Sequence, residues 1–416
     1  MNFLPETNDL RGDAHRIINR ALHEALPSKA VRDLLGKLEL SDRLTIVAIG
    51  KAAWEMAAAA AAELGDKIKQ GIVITKYGHA EGEIAHMRIF EAGHPVPDHN
   101  SFEATQNAID MVQPLTDKDT VLFLVSGGGS ALFEQPMIDG EELKNITCQL
   151  LACGADITEI NTIRKRFSRV KGGRFAQLCA PAKVISILLS DVLGDNLSAI
   201  ASGPTVPDSG TCADALAIVN RYKLNLSAVA RKLLTQETPK QLDNVENHVI
   251  GSVRQLCASA AACASDMGYE TIFLTDDLRC TARDAGSFLG SVARSHANSE
   301  KSLAYICGGE TVVRLTGKGL GGRNQEIALS AAQSIDGLKD VCVFSVGSDG
   351  TDGPTDAAGG YADGDTVANL NRKGINVDDV LSNNDSYHAL AECDGLITTG
   401  ATGTNVNDVS VVLIKR

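Results

Sequence analysis

The feature that most constrains the fold is an alternation of short, wholly apolar runs with helical patterns. In the first half of the chain these runs include LTIVAIG, VLFLV and VISILLS, with helical segments such as KAAWEMAAAAAAELG and SFEATQNAIDMVQPL between them. Runs that are apolar throughout are typical of parallel strands covered by helices on both faces. The pattern predicts an α/β fold with a doubly wound, Rossmann-like parallel sheet, in which ligands bind beyond the carboxyl ends of the strands.

A second strand–helix–strand rhythm begins after a polar, helical stretch from Thr205 to Asn247. The length of 416 residues also favours more than one domain. We therefore predict two α/β domains, residues 1–245 and 246–416. The forty N-terminal residues form two short helical patterns that could pack on either domain.

Charge and composition narrow the classes of function. With 39 basic and 52 acidic residues the net charge is −13, which works against binding to nucleic acid. No window is apolar for the roughly 18 residues that a membrane helix needs, and the N-terminus lacks the features of a secretory signal. The ten cysteines show no zinc-ligand spacing. We expect a cytoplasmic protein that acts on small molecules, without nucleic-acid or membrane partners.

Two candidate anion sites follow strands in the first half. Lys51 follows LTIVAIG and opens a helix, where an anionic ligand would relieve the repulsion between its cation and the helix dipole; the alternative is a solvated lysine. After VLFLV come Ser126, Gly127, Gly128, Gly129 and Ser130. Their bare backbone N–H groups could cradle a phosphate or a carboxylate, or simply form a turn. The segment fits neither a Walker loop nor a nucleophile elbow.

Two further segments of this half carry charges. A basic run predicts an anion site or a solvated helix face, and it consists of Arg164, Lys165, Arg166, Arg169, Lys171 and Arg174. Asp191 and Asp195 follow VISILLS, where carboxylates serve as Mg²⁺ ligands or general bases, although Asp191 could also cap a helix. In the loop after MRIFEA, His94 and Asp98 could be structural or catalytic.

The second half has two glycine-rich loops. Residues 317–322 literally satisfy GxGxxG, but the preceding TVVRLT predicts a half-exposed strand, and the next acid at a strand end lies too far along for a dinucleotide fingerprint. We favour an anion-binding loop with Arg323 at its tip. After VCVFSV, the side chains of Asp349, Asp352 and Asp356 would repel one another unless a cation or a basic group joins them, although such loops are often Asx-turns.

Taken together, these segments resemble the glycerate 2-kinase family of the MOFRL type. The resemblance runs from about Ile46 to the end of the chain. It rests, in order, on AIGKAA, AGHPVPD, SGGGSAL, EINTIRKRFSRVKGG, LSDVLGDNLSAIASGPT, GGET, GKGLGGRNQE, GSDGTDGPTDAAGG, NDSY and TGTNVND. One departure is Arg166, which stands where the family commonly has a histidine.

The resemblance implies an active site in the cleft between two domains and transfer of the γ-phosphoryl group of ATP to the 2-hydroxyl of D-glycerate. It implies ATP and Mg²⁺ as cofactors and critical roles for Lys51 and Arg323. We expect Asp191 or Asp195 to supply the base or a metal ligand. The remaining assignments are substrate or phosphate binding by Ser126, Gly127, Gly128, Gly129, Ser130, Arg164, Lys171, Asn324 and Glu326, and metal binding by Asp195, Asp349 and Asp352.

Two other readings stay open at this point. Relatives of the family have carried the label hydroxypyruvate reductase, so an NAD(P)H-dependent reductase is the main alternative, and a sensor of sugar-acid phosphates that never turns over is the third. The expected partners are the small molecules D-glycerate and ATP, and the chain is a candidate homodimer.

Overall fold

The computed structural model describes residues 2–190 and 196–416, which form two compact units. The N-terminal unit is Pro27–Ile250, and the C-terminal unit combines residues 2–26 with Gly251–Arg416. The two units divide between Ile250 and Gly251, and the first helix of the chain belongs with the C-terminal unit. Among the described residues, no helix combines the length and the apolar character needed to cross a membrane.

The N-terminal unit is built on a six-stranded sheet with the order β3-β2-β1-β4-β5-β6. Strands β1 to β5 pair in parallel, which confirms the predicted doubly wound arrangement. The strands are β1 (Leu44–Ile49), β2 (Ile68–Lys76), β3 (Met87–Ala92), β4 (Thr120–Val125), β5 (Lys183–Leu189) and β6 (Val245–Gly251).

Helices of this unit follow the strands as predicted. They are α2 (Pro27–Leu35), α3 (Ala53–Leu64), α4 (His99–Val112), α5 (Gly129–Leu132), α6 (Gly140–Ala152), α7 (Ile157–Arg166), α8 (Arg174–Cys179), α9 (Cys212–Tyr222) and α10 (Ala228–Leu233), with 3-10 turns at Gly65–Lys67 and Ile200–Ser202.

Burial explains why the apolar runs form this sheet. Every residue of β1 and β4 is buried, and since successive side chains point to opposite faces, both faces of the sheet are covered. Phe123, Phe133 and Phe175 pack together in the core, with ring centroids 4.8–5.7 Å apart. Helices α6, α7, α9 and α10 have a separate apolar core of their own.

The C-terminal unit contains a mixed sheet with the order β11-β10-β9-β12-β8-β7. Strands β7 and β8 are parallel, whereas β12 runs antiparallel to both β8 and β9. The strands are β7 (Glu270–Leu278), β8 (Leu303–Gly309), β9 (Val341–Gly347), β10 (Gly359–Asp363), β11 (Leu396–Ile397) and β12 (Asp408–Ile414).

The helices of this unit are α1 (Leu10–Glu24), α11 (Val253–Asp266), α12 (Ala282–His296), α13 (Arg323–Ile335), α14 (Thr366–Arg372), α15 (Val377–Ser382) and α16 (Ser386–Ala391). The strand predicted over TVVRLT, residues 311–316, is wrong. This segment makes only an isolated bridge between Val312 and Thr281, because its neighbours in space are loops rather than a sheet edge.

Candidate active site

The turn after β1 holds Lys51 at the carboxyl end of the parallel sheet. Gly50 has φ +114°, and a Cβ placed on it would lie 2.2 Å from Ser126 Oγ, so the turn requires glycine. The Lys51 backbone N–H donates to the Gly127 carbonyl at 2.9 Å. The turns after β1 and β4 are therefore clamped together at adjacent strand ends.

Ser126 completes this clamp. Its hydroxyl oxygen accepts from the Ala52 N–H at 3.0 Å and lies 3.3 Å from the Ile49 carbonyl, to which it donates. The side chain is buried within the turn. The structure thus gives Ser126 a role in holding Lys51 in place, in contrast to the direct contact with substrate that was expected.

Lys51, His94 and Gly128 converge in front of the clamp. A Cβ on Gly128, whose φ is +87°, would lie 3.0 Å from the His94 ring and 3.3 Å from Lys51 Cγ. Within the described residues the Lys51 ammonium group has no carboxylate partner. Partial burial, together with the charges of Lys51, Lys76 and His79, lowers the pKa of His94. The group places the Lys51 cation beside bare glycine backbone, an arrangement that suits an anionic ligand.

Ser130 and Arg164 form the other side of this turn. The Ser130 hydroxyl lies 3.0 Å from that of Ser202, which in turn lies 3.0 Å from Asn161 Oδ1. Arg164 Nη2 donates to the Ser130 carbonyl at 3.0 Å. The Arg164 side chain, 16% exposed, also lines a groove of about 740 Å³ between the loop at residues 93–99 and α6. Arg164 therefore remains a candidate for binding the substrate.

The rest of the basic run is structural. Lys171 is fully buried, 3.0 Å from the Glu134 carboxylate, and donates to the Phe133 carbonyl at 2.8 Å. Burial lowers its pKa to about 8 although Glu134 works in the opposite direction. Arg166 is also buried and donates to the Gly210 and Gln236 carbonyls. This geometry does not fit the substrate-binding role expected of Lys171, because its donors are already used inside the core.

The GKGLGG loop, residues 317–322, is closed by residues 383–387, which contain the NDSY motif. Gly317 N–H donates to Asn384 Oδ1 at 2.9 Å, and Gly319 N–H donates to the Asn383 carbonyl at 2.8 Å. A Cβ on either glycine would lie 2.3–2.4 Å from this segment. The glycines therefore permit close packing of two loops, and these N–H groups are not directed at an anion.

Arg323 begins α13 directly after this loop. Its Nε donates to Asp408 Oδ2 at 2.5 Å and its Nη2 to Oδ1 at 3.1 Å, while Nη1 donates to Glu310 at 2.9 Å. Although burial opposes it, the contact with Asp408 raises the pKa of Arg323. The arginine is a fixed cation, 32% exposed, at the end of the second sheet.

Asn324 and Glu326 lie inside the C-terminal unit. Asn324 Oδ1 accepts from the Ser345 hydroxyl at 2.5 Å, and its Nδ2 donates to Asp352 at 3.3 Å. Glu326 is buried, which raises its pKa, and it accepts from an Asn384 amide N–H at 3.3 Å. Both side chains support the start of α13, which does not fit the predicted contact with substrate.

The carboxylates of the loop after β9 are each engaged separately. Asp349 accepts from Thr351 in an Asx-turn, and Asp356 accepts from the Tyr387 hydroxyl at 2.7 Å. Asp352, although outside α13, caps it: its carboxylate accepts from the backbone N–H groups of Asn324 and Gln325 at 3.1 and 2.8 Å. The expected repulsion is thus relieved by hydrogen-bond donors.

The described residues do not fit a preformed metal site. Within residues 2–190 and 196–416, no group of three or more His, Cys, Asp or Glu side chains could hold a metal ion. The oxygens of Asp352 are committed to backbone donors, which argues against the metal role expected of it. Asp191 and Asp195 lie outside the described residues, so their predicted roles stay predictions.

Two residues of the site had no role assigned from the sequence, Glu310 and Asp408. Both follow or begin strands of the second sheet, but their meeting at Arg323 depends on an antiparallel pairing between segments about 100 residues apart. His94 was singled out with its role left open. His94 lies beside Lys51 because these two residues follow β3 and β1, which both pair with β2.

Regions in both units match known protein families. Residues 13–235 match the family model described as a domain of unknown function, DUF4147, and residues 303–408 match the MOFRL family. A crystal structure reported as glycerate kinase from Thermotoga maritima is 49% identical, with a TM-score of 0.95, and the match covers 97% of this chain and 99% of that one. The fold and the matched regions therefore define an α/β protein of the MOFRL type.

The curated relatives narrow this class further. A D-glycerate 2-kinase of Thermotoga maritima is 49% identical over 99% of this chain and 100% of its own length. A putative hydroxypyruvate reductase of Agrobacterium vitis is 40% identical over 89% of this chain and 99% of its own length. The chain belongs to the glycerate 2-kinase family.

Proposed function

We propose that the protein is an ATP-dependent glycerate 2-kinase, which converts D-glycerate and ATP into 2-phosphoglycerate and ADP. The observation that carries the proposal is 49% identity with a D-glycerate 2-kinase along 99% of the chain. The site supports it, because Lys51, in the turn after β1, and Arg323, at the start of α13, are partly accessible cations.

The reaction needs positioning and charge neutralisation more than covalent chemistry. The 2-hydroxyl oxygen of glycerate forms a bond to the γ-phosphorus, the bond from that phosphorus to the bridging oxygen of ADP breaks, and the hydroxyl proton passes to a base. We assign charge neutralisation to Lys51 and Arg323. The glycine turn at residues 127–129 and Arg164 bind either the phosphates or the glycerate carboxylate. The base is assigned to Asp191, with Asp195 as the alternative.

Magnesium is part of the proposal, although the described residues offer no preformed site. In phosphoryl-transfer enzymes Mg²⁺ is usually held by one or two carboxylates together with phosphate oxygens, so it would arrive with the nucleotide. We expect EDTA to abolish turnover and added Mg²⁺ to restore it, measured as ADP formation. Turnover that is unchanged in excess EDTA would contradict this part of the proposal.

The test of the function is ADP formation from Mg·ATP with and without D-glycerate, with the product identified by ³¹P NMR. Glycerate-dependent ADP and a phosphoryl group on the 2-oxygen are the expected results. A 3-phospho product would exclude the proposed position of transfer, and ADP release independent of glycerate would exclude the acceptor.

The reductase reading is tested alongside by mixing the protein with hydroxypyruvate and NAD(P)H. The name of the Agrobacterium vitis relative favours this reading, but in the loop that matches GxGxxG the N–H groups of residues 317–320 donate to residues 383–385. We expect no oxidation of NAD(P)H. The cytoplasmic location, the homodimer and the site in the cleft stay predictions.

A further inference from the structure

A buried carboxylate holds one edge of the Arg323 guanidinium group. Asp408 accepts from Nε and Nη2 through its two oxygens, at 2.5 and 3.1 Å. The Asp408 side chain is 6% exposed. A bidentate pair of this kind fixes the plane of the guanidinium as well as its position, so the orientation of Arg323 depends on Asp408.

The sheet is built to leave room for this carboxylate. Asp408 is the first residue of β12, and it pairs with Gly309 at the end of β8 and with Gly347 at the end of β9. A Cβ on Gly347 would lie 3.4 Å from Asp408 Oδ1. Glycines thus flank Asp408 on both neighbouring strands. Its carboxylate contacts Arg323 at the ends of these strands.

The opposite edge of the guanidinium is held by a different kind of partner. Nη1 of Arg323 donates to Glu310 at 2.9 Å, and the Glu310 side chain is 48% exposed. Ion pairs between exposed groups contribute little to stability. A phosphate or carboxylate of a substrate could therefore replace Glu310 on Nη1 without disturbing the buried pair.

We propose that Asp408 is the positioning residue for Arg323, and that Glu310 occupies the ligand-facing nitrogen of Arg323 until an anionic substrate replaces it. The inference rests on the proposed function for the role of Arg323 as a contact to substrate. The inference assigns different roles to two carboxylates, those of Asp408 and Glu310. One is permanent and aligns the cation, and the other is exchangeable and competes with the ligand.

The charges around Asp408 add a dependence on pH. Arg323 and Asn324 face it from α13, Asp352 faces it from the loop after β9, and Glu310 lies across the guanidinium. Burial raises the pKa of Asp408 to about 6, against the opposing effect of Arg323. Above this pKa the carboxylate is ionised and aligns Arg323, and below it protonation weakens the bidentate pair.

The experiment compares Asp408→Asn, Asp408→Glu and Glu310→Gln with the wild-type protein. We expect kcat to fall roughly 10- to 100-fold in Asp408→Asn, as for a misplaced catalytic contact, with partial recovery in Asp408→Glu. The decrease of kcat on the acid side of the pH profile, expected near pH 6 in the wild type, should shift in Asp408→Asn because the titrating carboxylate is gone. In Glu310→Gln we expect KM for Mg·ATP or D-glycerate to fall about threefold while kcat is kept.

Glu270→Gln is the matched control, because Glu270 pairs with Lys301 on the surface of the same unit. Its kinetic constants should equal those of the wild type. Wild-type kcat and an unchanged pH profile in Asp408→Asn would overturn the positioning role. If KM for both Mg·ATP and D-glycerate is unchanged or higher in Glu310→Gln, Glu310 does not compete with the ligand. This variant provides the test of the proposal if Asp408→Asn does not fold.

Binding of inorganic pyrophosphate, measured by calorimetry, separates this inference from the proposed function. We expect Glu310→Gln to bind pyrophosphate about threefold more tightly than the wild type and Arg323→Ala to bind it more weakly. Tighter binding without any glycerate-dependent ADP would retain the inference and reject the kinase. Kinase activity with the same affinity for pyrophosphate in all three proteins would reject the inference alone.

Discussion

Two lysines that both belonged to the predicted anion sites have opposite surroundings. Lys51 is partly accessible, lies beside His94 and bare glycine backbone, and has no carboxylate partner among the described residues. Lys171 is fully buried against Glu134. In the sequence, each lysine indicates an anionic partner. Whether that partner is a ligand, as we propose for Lys51, or a side chain of the protein, as for Lys171, depends on the fold.

For Lys51 we predict a loss of activity without a loss of stability. Lys51→Ala should lower kcat about 100- to 1,000-fold, the usual effect of removing one group that stabilises developing charge. The free energy of unfolding in urea should stay within about 0.5 kcal/mol of the wild type, since no ion pair of the described chain is broken. An activity close to that of the wild type in Lys51→Ala would exclude it from the reaction.

For Lys171 the prediction is the reverse. Lys171→Met removes the nearer of the two cations beside the buried Glu134 carboxylate and leaves Arg164 at 3.8 Å, which should cost about 3 kcal/mol of stability, measured by urea unfolding. The fraction that still folds should keep its kcat. The double variant Lys171→Met/Glu134→Leu should recover much of the stability, and failure to recover any would show that the pair is not the source of the loss.

At the scale of elements, the candidate groups of each unit lie on turns that neighbouring segments of the same unit hold in place. The turn after β1 is clamped to the turn after β4, and the loop at residues 317–322 is closed by residues 383–387. In both places glycine is needed because another backbone or side chain approaches closely. We predicted an anion-binding loop with Arg323 at its tip, and of this prediction the part that concerns Arg323 remains, because residues 317–320 donate their N–H groups to residues 383–385.

Gly128 and Gly154 provide a matched test of this close approach. Both have positive φ, but a Cβ on Gly128 would meet His94 and Lys51, whereas a Cβ on Gly154 would meet nothing within 4 Å. Each substitution by Ala should cost about 1 kcal/mol in stability. Only Gly128→Ala should also reduce kcat/KM, by about tenfold or more. Equal activity in the two variants would remove Gly128 from the site.

The first sheet could be predicted from sequence because its signals are local. Each apolar run is followed by a turn and a helix, so β1, β4 and β5 and the residues after them follow from the pattern. The contacts of Asp408 and the closure by residues 383–387 could not be predicted. They depend on which distant strands pair and in which direction, and a short motif such as TGTNVND carries no information on its partner.

At the scale of the whole molecule, the chain leaves the C-terminal unit after α1 and returns to it at Gly251. Helix α1 is held in that unit by Asp13, which accepts from the Tyr269 hydroxyl at 2.6 Å and pairs with Lys415 at 2.7 Å. Although burial works to raise it, Lys415, Tyr269 and Arg16 together hold the pKa of Asp13 below its usual value. The two ends of the chain are thus tied together inside one unit.

This connection predicts that Asp13→Asn destabilises the C-terminal unit selectively. Loss of the charged hydrogen bonds should cost about 2 kcal/mol at neutral pH, seen as faster hydrogen exchange in α1 and β12. Because the native pKa is lowered, this contribution is present above about pH 4 and is lost as the pH falls further, so the difference between variant and wild type should shrink in acid.

The single tryptophan, Trp54, reports on the other unit, where it donates to the Gly82 carbonyl at 2.9 Å. Its fluorescence should give the same urea midpoint in Asp13→Asn as in the wild type, if each unit unfolds on its own. Asp33→Asn is the control, because Asp33 forms an exposed pair with Lys29 in the N-terminal unit, and its loss should change neither signal measurably. A parallel shift of Trp54 fluorescence and hydrogen exchange in Asp13→Asn would mean instead that the chain unfolds as a single cooperative unit.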